Sequence, residues 1–507
     1  MGRFSSVVSK LLRGRMLKSL GLRKISTIPD VLNPEAYQDA AAEDGLHRAS
    51  YDWHKKLGPI FKLPNLGVVF ISCPKMTREL LCREEKYPKT FIPEAWTIHA
   101  RENGVQRGLM FLDGEEWWQA RKKLNPLLLK KSALDKMNPT IEKYTEELIS
   151  TWRINSTQFQ TDIYRCLVRI MMDLFVGECE ENSSHEIAEQ IMKDGQGVFE
   201  TTAMLMVDPQ AQFESKSPVW NKFCLHMDGI MKVLKESIRR CQLNQESQDS
   251  GLATQLLRSG MSAEKVETFI CDLLLGGVDT TGLNVSWMLY NLGDNPTVQD
   301  RVRAEVEKVC GAENSIVESL SELTLMKGFM REVSRIHPVA PFLTRILSKE
   351  ICVGSHILPV GTPVAISSYQ MGRNPQIFPD PEKIIPERWS RISHIDPEFK
   401  SQMSISVLPF GHGVRMCLGR RLGENTMLLL TSRILQEFQI STLEKSEYVT
   451  RLVGVPRDSF KLHFQDLCRS QVSASRSRSA VSIPEKENRC PYLNHEEEER
   501  VVQPYSN

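Results

Sequence analysis

The chain has 507 residues, 41% of them apolar, and a formal net charge of +1. The length supports a large core, and the near-neutral balance leaves no bulk positive charge to recruit nucleic acid. Its 12 cysteines occur singly, without a C-x-x-C pair, which speaks against a zinc cage or a disulfide framework and suits a reducing compartment.

Residues 1–29 carry Arg3, Lys10, Arg13, Arg15, Lys18, Arg23 and Lys24 and no acid. Phe4, Val7, Val8, Leu11 and Leu12 fall on one helical face, with the basic residues largely opposite. This is the cationic, amphipathic profile of a mitochondrial presequence; a disordered basic tail is the alternative. No apolar run reaches the roughly 18 residues that a spanning helix needs.

Between Tyr51 and Pro74, short β-branched and aromatic runs broken by Gly and Pro predict a small sheet. From Trp117 to about Arg335, helical spacing dominates, with apolar-periodic segments at 141–153, 161–176, 225–242, 262–292, 298–310 and 322–336. Strands return over 343–370, with Gly354 and Pro359-Val360-Gly361 as turn signals. Pro375 to Arg388 reads as irregular, and a last long helix covers about Leu418 to Phe438. The expected fold is mainly α with small β-sheets. We expect one domain over 30–466 and a disordered Ser/Arg/Glu-rich tail over 467–507.

The segment Phe410-Gly411-His412-Gly413-Val414-Arg415-Met416-Cys417-Leu418-Gly419 fits F-x-x-G-x-R-x-C-x-G. A lone cysteine is usually a core thiol, but here it sits between glycines and beside an arginine, just before a helix. Helix N–H groups aimed at sulfur would lower its pKa. Gly413 and Gly419 would let the backbone approach a flat group, and Arg415 could pair with an anion.

This loop resembles the haem-binding loop of the cytochromes P450. Further motifs follow in that family's order: Trp117-x-x-x-Arg121, Gly276-Gly277-Val278-Asp279-Thr280-Thr281, Glu332-Val333-Ser334-Arg335 and Pro386-Glu387-Arg388-Trp389. The resemblance implies haem b (iron protoporphyrin IX) with Cys417 as the iron ligand, a thiolate that favours O–O cleavage. Phe410, Gly413, Arg415 and Gly419 would hold the haem. Trp117, Arg121 and Arg345 would contact its propionates, although a core role is the plain alternative for Trp117. The distal helix would open at the glycine pair, with Thr280 organising protons for dioxygen and Asp279 relaying them. Glu332, Arg335 and Arg388 would form a buried structural network.

The chain carries no flavin or iron–sulfur module, so electrons must come from a partner. Lys327 and Arg331 resemble the basic pair with which mitochondrial members dock a ferredoxin, and Gly419-Arg420-Arg421 resembles the same subgroup. This implies the matrix side of the inner membrane, with peripheral membrane association. The runs 86–88, 93–97, 106–109, 338–342 and 455–458 are similar to ecdysteroid 2-hydroxylases of insects. That likeness implies C-2 hydroxylation of 2-deoxyecdysone to ecdysone, with substrate contacts from 91–106, 199–220, the distal helix, 339–343 and 453–456. Phe91, Ile92, Trp96, Val339, Ala340, Phe342 and Leu343 would supply its apolar surface. Another mitochondrial steroid or sterol hydroxylase, such as an ecdysteroid 20- or 22-hydroxylase, is the alternative within the enzyme class. A haem-thiolate isomerase is the alternative outside it, against which the Asp279–Thr280 pair argues.

Overall fold

The computed structural model describes residues 23–24, 28–31, 33, 35–64, 66–105, 108–177, 184–207, 217–243, 251–310, 316–390 and 396–467. Most of the expected presequence and nearly all of the expected tail lie outside them. Arg23–Lys24 pairs in parallel with His356–Leu358. Ile28 is buried, and the Pro29 carbonyl accepts the Lys62 N–H at 2.8 Å. Ordered packing therefore begins ahead of residue 30.

The architecture is helical around one central rod, the helix Ala263–Asp294. Ser262 caps its start by accepting the Lys265 N–H, and Asn295-Pro296 ends it. Phe269, Ile270, Leu274, Val285, Trp287 and Leu292 are all buried. Apolar residues all around a helix mark it as a core element. Helices Phe159–Phe175, Pro218–Leu243 and Arg420–Glu437 pack along it. The helix Trp117 belongs to, Gly114–Leu129, lies against the Arg420–Glu437 helix.

A four-stranded sheet flanks this bundle in the order Ile60–Leu63, Val68–Ile71, Pro363–Ser367, Phe342–Ile346. Only the middle pair is parallel. A three-stranded sheet and two antiparallel strand pairs complete the β structure. Both turn signals hold: Gly354 and Gly361 have φ of 56° and 82°, backbone that glycine adopts without steric cost.

The expected sheet starts later than the sequence suggests. Tyr51 belongs to the helix Leu46–Leu57, whose buried face is His47, Ser50 and His54. Polar side chains there hide the helical period from an apolar test. A helix at His185–Val207 also forms, outside the apolar-periodic segments read from sequence.

The fold hangs together on a fully buried carboxylate. Glu332 accepts Arg335 Nε and Nη2, each at 2.8 Å, Trp389 Nε1 at 2.9 Å, the Ile385 N–H at 3.0 Å and Arg388 Nε at 3.3 Å. Arg335 spends further N–H groups on the carbonyls of Gly372 and Lys383, at 2.8 and 3.0 Å. Gly328 makes the approach feasible: a Cβ there would lie 2.3 Å from the Pro386 carbonyl oxygen. Removing one partner of such a pair leaves an uncompensated buried charge, which costs about 3–5 kcal/mol. Glu332→Ala should therefore yield protein that fails to load haem or melts far below the parent. Differential scanning calorimetry and the haem Soret band measure this; parental stability would show that the network is dispensable.

Candidate active site

A cavity of about 510 Å³ lies between the Cys417 loop and the central helix. Phe410, Arg415, Cys417 and Gly419 line one side, and Gly276, Gly277, Thr280 and Thr281 the other. Trp117 and Arg121 close an edge. Sequence positions more than 300 residues apart, from Thr90 to Leu452, thus meet at one surface.

The loop's own hydrogen bonds aim the thiol. Cys417 N–H donates to the Phe410 carbonyl at 2.8 Å, and Met416 N–H to that of Gly413 at 3.1 Å. Cys417 is open to the cavity but otherwise enclosed by protein. Burial pushes its thiol up, against the opposing pull of the Gly419 N–H and of Arg121. The expected helix-start N–H is present, yet the free thiol ends above its ordinary value because desolvation outweighs one hydrogen bond. Coordination to a metal would remove the proton.

Two arginines flank the Trp117 ring, Arg415 at 4.0 Å and Arg121 at 5.9 Å from its centroid. Arg415 donates to the carbonyls of Pro88 and Leu112, each at 2.8 Å, and to Asp113 at 2.9 Å. Burial lowers its pKa to about 10. Arg121 donates to the Met416 carbonyl at 3.1 Å, while its buried Nε has no hydrogen-bond partner. A buried, underused guanidinium beside a thiol-lined cavity fits an anionic, planar iron cofactor. Cys417, the only thiol on the cavity lining among the described residues, is the residue that would ligate its iron.

Three expected site residues do not line the cavity. Arg345 pairs with Glu84 and donates to the carbonyls of Thr344 and His412, at 2.9 and 3.2 Å. Gly413 serves the turn, with φ of 72°. Asp279 points behind the helix, into a small space shared with Ile191, Gly195 and Ile230. Nor does the central helix open at its glycine pair. It runs as uninterrupted α-helix through Thr281, and the room comes from the missing side chains: a Cβ on Gly276 would meet only Met110 sulfur, at 3.8 Å. Thr280 donates its hydroxyl to the Gly276 carbonyl at 2.6 Å, and Asn284 caps the Thr280 carbonyl at 2.8 Å.

Among the expected substrate-contact residues, Phe91, Ile92 and Trp96 line the cavity. The 339–343 run does not. Phe342 packs edge-on to Phe70 at 5.6 Å, and Leu343 joins the sheet core. As neighbours in the strand Phe342–Ile346 they point to opposite faces of the sheet, each into its own apolar cluster. Sequence reading missed Asp272, which lines the cavity two turns before Thr280. Its i, i+4, i+8 spacing to Gly276 and Thr280 was the available signal.

Two outcomes check this geometry. Cys417→His should keep some haem but lose the thiolate-type spectrum of the reduced carbon monoxide adduct; survival of that spectrum would show that another group ligates iron. Burial raises the Asp279 carboxyl from 3.8 to about 7. The folded protein therefore pays for ionising it, a cost absent at pH 4 and growing until about pH 7. Asp279→Asn should raise the melting temperature at pH 8 and change it little near pH 4, as thermal melts at the two pH values will show.

The family model for Cytochrome P450 matches residues 35–463. "Cytochrome P450 315a1, mitochondrial" of Drosophila melanogaster is 28% identical over 87% of this chain and 86% of its own length. "Cytochrome P450 11B2, mitochondrial" of Mesocricetus auratus is 29% identical over 83% of this chain and 87% of its own. The mitochondrial cholesterol side-chain cleavage enzyme of Oncorhynchus mykiss is 28% identical over 79% and 81%. The matched span contains the whole cavity, and the chain belongs to the cytochrome P450 family, as a haem b monooxygenase related to mitochondrial members.

Proposed function

We propose that this protein hydroxylates a steroid, converting 2-deoxyecdysone to ecdysone at C-2, with electrons from a mitochondrial ferredoxin. The observation that carries the steroid reading is the cavity itself: about 510 Å³, lined mostly by apolar side chains, with the Cys417 thiol on one wall and Thr280 on the other. Its size falls within the roughly 300–1,000 Å³ of small-molecule sites. Support for an ecdysteroid is the likeness of the runs at 86–109 and 338–342 to insect ecdysteroid 2-hydroxylases; the mitochondrial names of the relatives support the ferredoxin reading.

When bound, haem supplies the dioxygen chemistry, inserting one oxygen atom into a C–H bond and releasing the other as water at the expense of two electrons. The chain's own residues do the rest. Cys417 holds the cofactor, with Phe410 and Gly419 beside it. Arg121 and Arg415 offer charge to its propionates and Trp117 fixes both guanidinium groups; Arg345 backs the loop through the His412 carbonyl. Thr280 holds a hydroxyl over the cavity, close to where protons must arrive. Asp279, one residue before it, retains its proton up to about pH 7 and feeds protons from behind the helix.

Electrons would enter on the opposite side of the Cys417 loop. Lys327, Arg331, Arg420 and Arg421 surround the half-buried Glu424, so positive charge gathers beside the helix that follows Cys417. Such a patch suits an acidic ferredoxin, because complementary charge speeds encounter. Residues 1–29 would deliver the chain to mitochondria, for work on the matrix side of the inner membrane. No helix among the described residues is long and apolar enough to cross a membrane.

Purified enzyme with ferredoxin, its reductase and NADPH should convert 2-deoxyecdysone to ecdysone. Mass spectrometry of the product decides the position: a hydroxyl placed on the side chain, at C-20 or C-22, would overturn C-2. Lys327→Glu with Arg331→Glu should raise the ferredoxin concentration needed for half-maximal turnover at least tenfold, with a normal haem spectrum. An unchanged ferredoxin dependence would place docking elsewhere.

A further inference from the structure

Asp272 is a buried carboxyl that the chemistry above does not use. It lines the cavity on the same helix face as Gly276 and Thr280, two turns and about 12 Å along the axis from Thr280. Its Oδ2 accepts the Met110 N–H at 2.7 Å. Among the described residues its Oδ1 has no hydrogen-bond partner, and no ion pair reaches it. The other ionisable residues on the lining, Arg121, Arg415 and Cys417, gather around the Cys417 loop.

The surroundings fix this side chain in place. A Cβ on Gly108 would lie 2.3 Å from Oδ2 and 2.4 Å from Oδ1, so any larger residue there would push the carboxyl out of this position. Leu109, Met110 and Phe111, which follow, are apolar and also line the cavity. The carboxyl is held by one N–H, lies against Gly108, and borders both the cavity and a smaller space lined by Trp96, Val105 and Met227, so its desolvation is incompletely compensated. Burial moves it to about 7. A ligand group that bonds to the open oxygen would relieve that cost, whichever protonation state is present.

We propose that Asp272 binds a hydroxyl group of the substrate at the end of the cavity remote from Cys417, and so sets which end of the steroid faces the iron. This rests on the steroid reading above. A neutral alcohol suits the site, since it can donate to a carboxylate or accept from a carboxylic acid. With the side-chain hydroxyls gripped at Asp272, the A-ring edge is left below Thr280, which agrees with attack at C-2.

The test uses the haem-loaded full chain and two steroids: 2-deoxyecdysone, and the same compound without its side-chain hydroxyls. Dissociation constants come from equilibrium dialysis and from the spin-state shift. Wild type should bind the hydroxylated compound roughly tenfold or more tightly, the ratio expected for a hydrogen bond to a charged partner. Asp272→Ala should erase that preference while leaving affinity for the deoxy analogue within a few-fold. If Asp272→Ala does not load haem, Asp272→Leu fills the space with an apolar group and should reverse the preference. Equal losses for both steroids, or an unchanged ratio, would overturn the role of Asp272 alone. Failure of wild type to bind either steroid would remove the substrate reading and this assignment together. Preference of wild type for a lipophilic amine of similar size, lost in Asp272→Ala, would show that the carboxylate selects a cation instead.

Discussion

Glu332 is the constraint on which the rest depends. A carboxylate with no solvent contact is tolerable only when its lone pairs are filled, and here two arginines, an indole N–H and a backbone N–H fill them. Those donors come from the Thr324–Ile336 helix and from the 385–389 segment. Satisfying one charge therefore clamps two distant stretches of chain. The same helix presents Lys327 and Arg331 outward while Glu332, Val333 and Arg335 face in. The clamp is what keeps a basic surface and a buried core at a fixed spacing.

Around the cavity the electrostatic logic reverses. Asp272 and Asp279 lie on the central helix with their charges left poorly compensated, both raised to about 7 by burial. A protein selected for stability alone would not keep two such acids in its core, whereas working sites commonly carry groups tuned in this way. Their placement differs. Asp272 opens on the chamber, and Asp279 faces a small space behind the helix. One helix thus offers a polar contact to the ligand side and a titratable group to the far side, separated by its own backbone.

Much of the cavity lining was legible in the sequence, from short-range motifs and from the family resemblance that they carry. A thiol among glycines before a helix start, a Gly-Gly pair inside an apolar helix, and paired charges three residues apart are short-range patterns. Trp117, Arg121, Thr280, Phe410, Arg415, Cys417 and Gly419 all meet at the cavity. Arg345 was not so readable: whether a strand arginine turns toward the cavity or takes Glu84 depends on which chain segment arrives opposite it. The 339–343 run misled for a similar reason, since an apolar strand serves a sheet core as well as a pocket. The helix Leu46–Leu57 was hidden because its buried face is polar.

The sequence by itself determined the helical period of the core and the turn positions at Gly354 and Gly361, and its likeness to a haem-binding loop singled out the cysteine expected to hold the cofactor. These are set by residues within a few positions of each other, where backbone sterics and side-chain chemistry act directly. Only the tertiary structure decided that Asp279 faces away from the cavity while Asp272 faces into it, and that Arg345 is spent on Glu84. Each of those outcomes depends on desolvation and on partners hundreds of residues away, which no local pattern encodes.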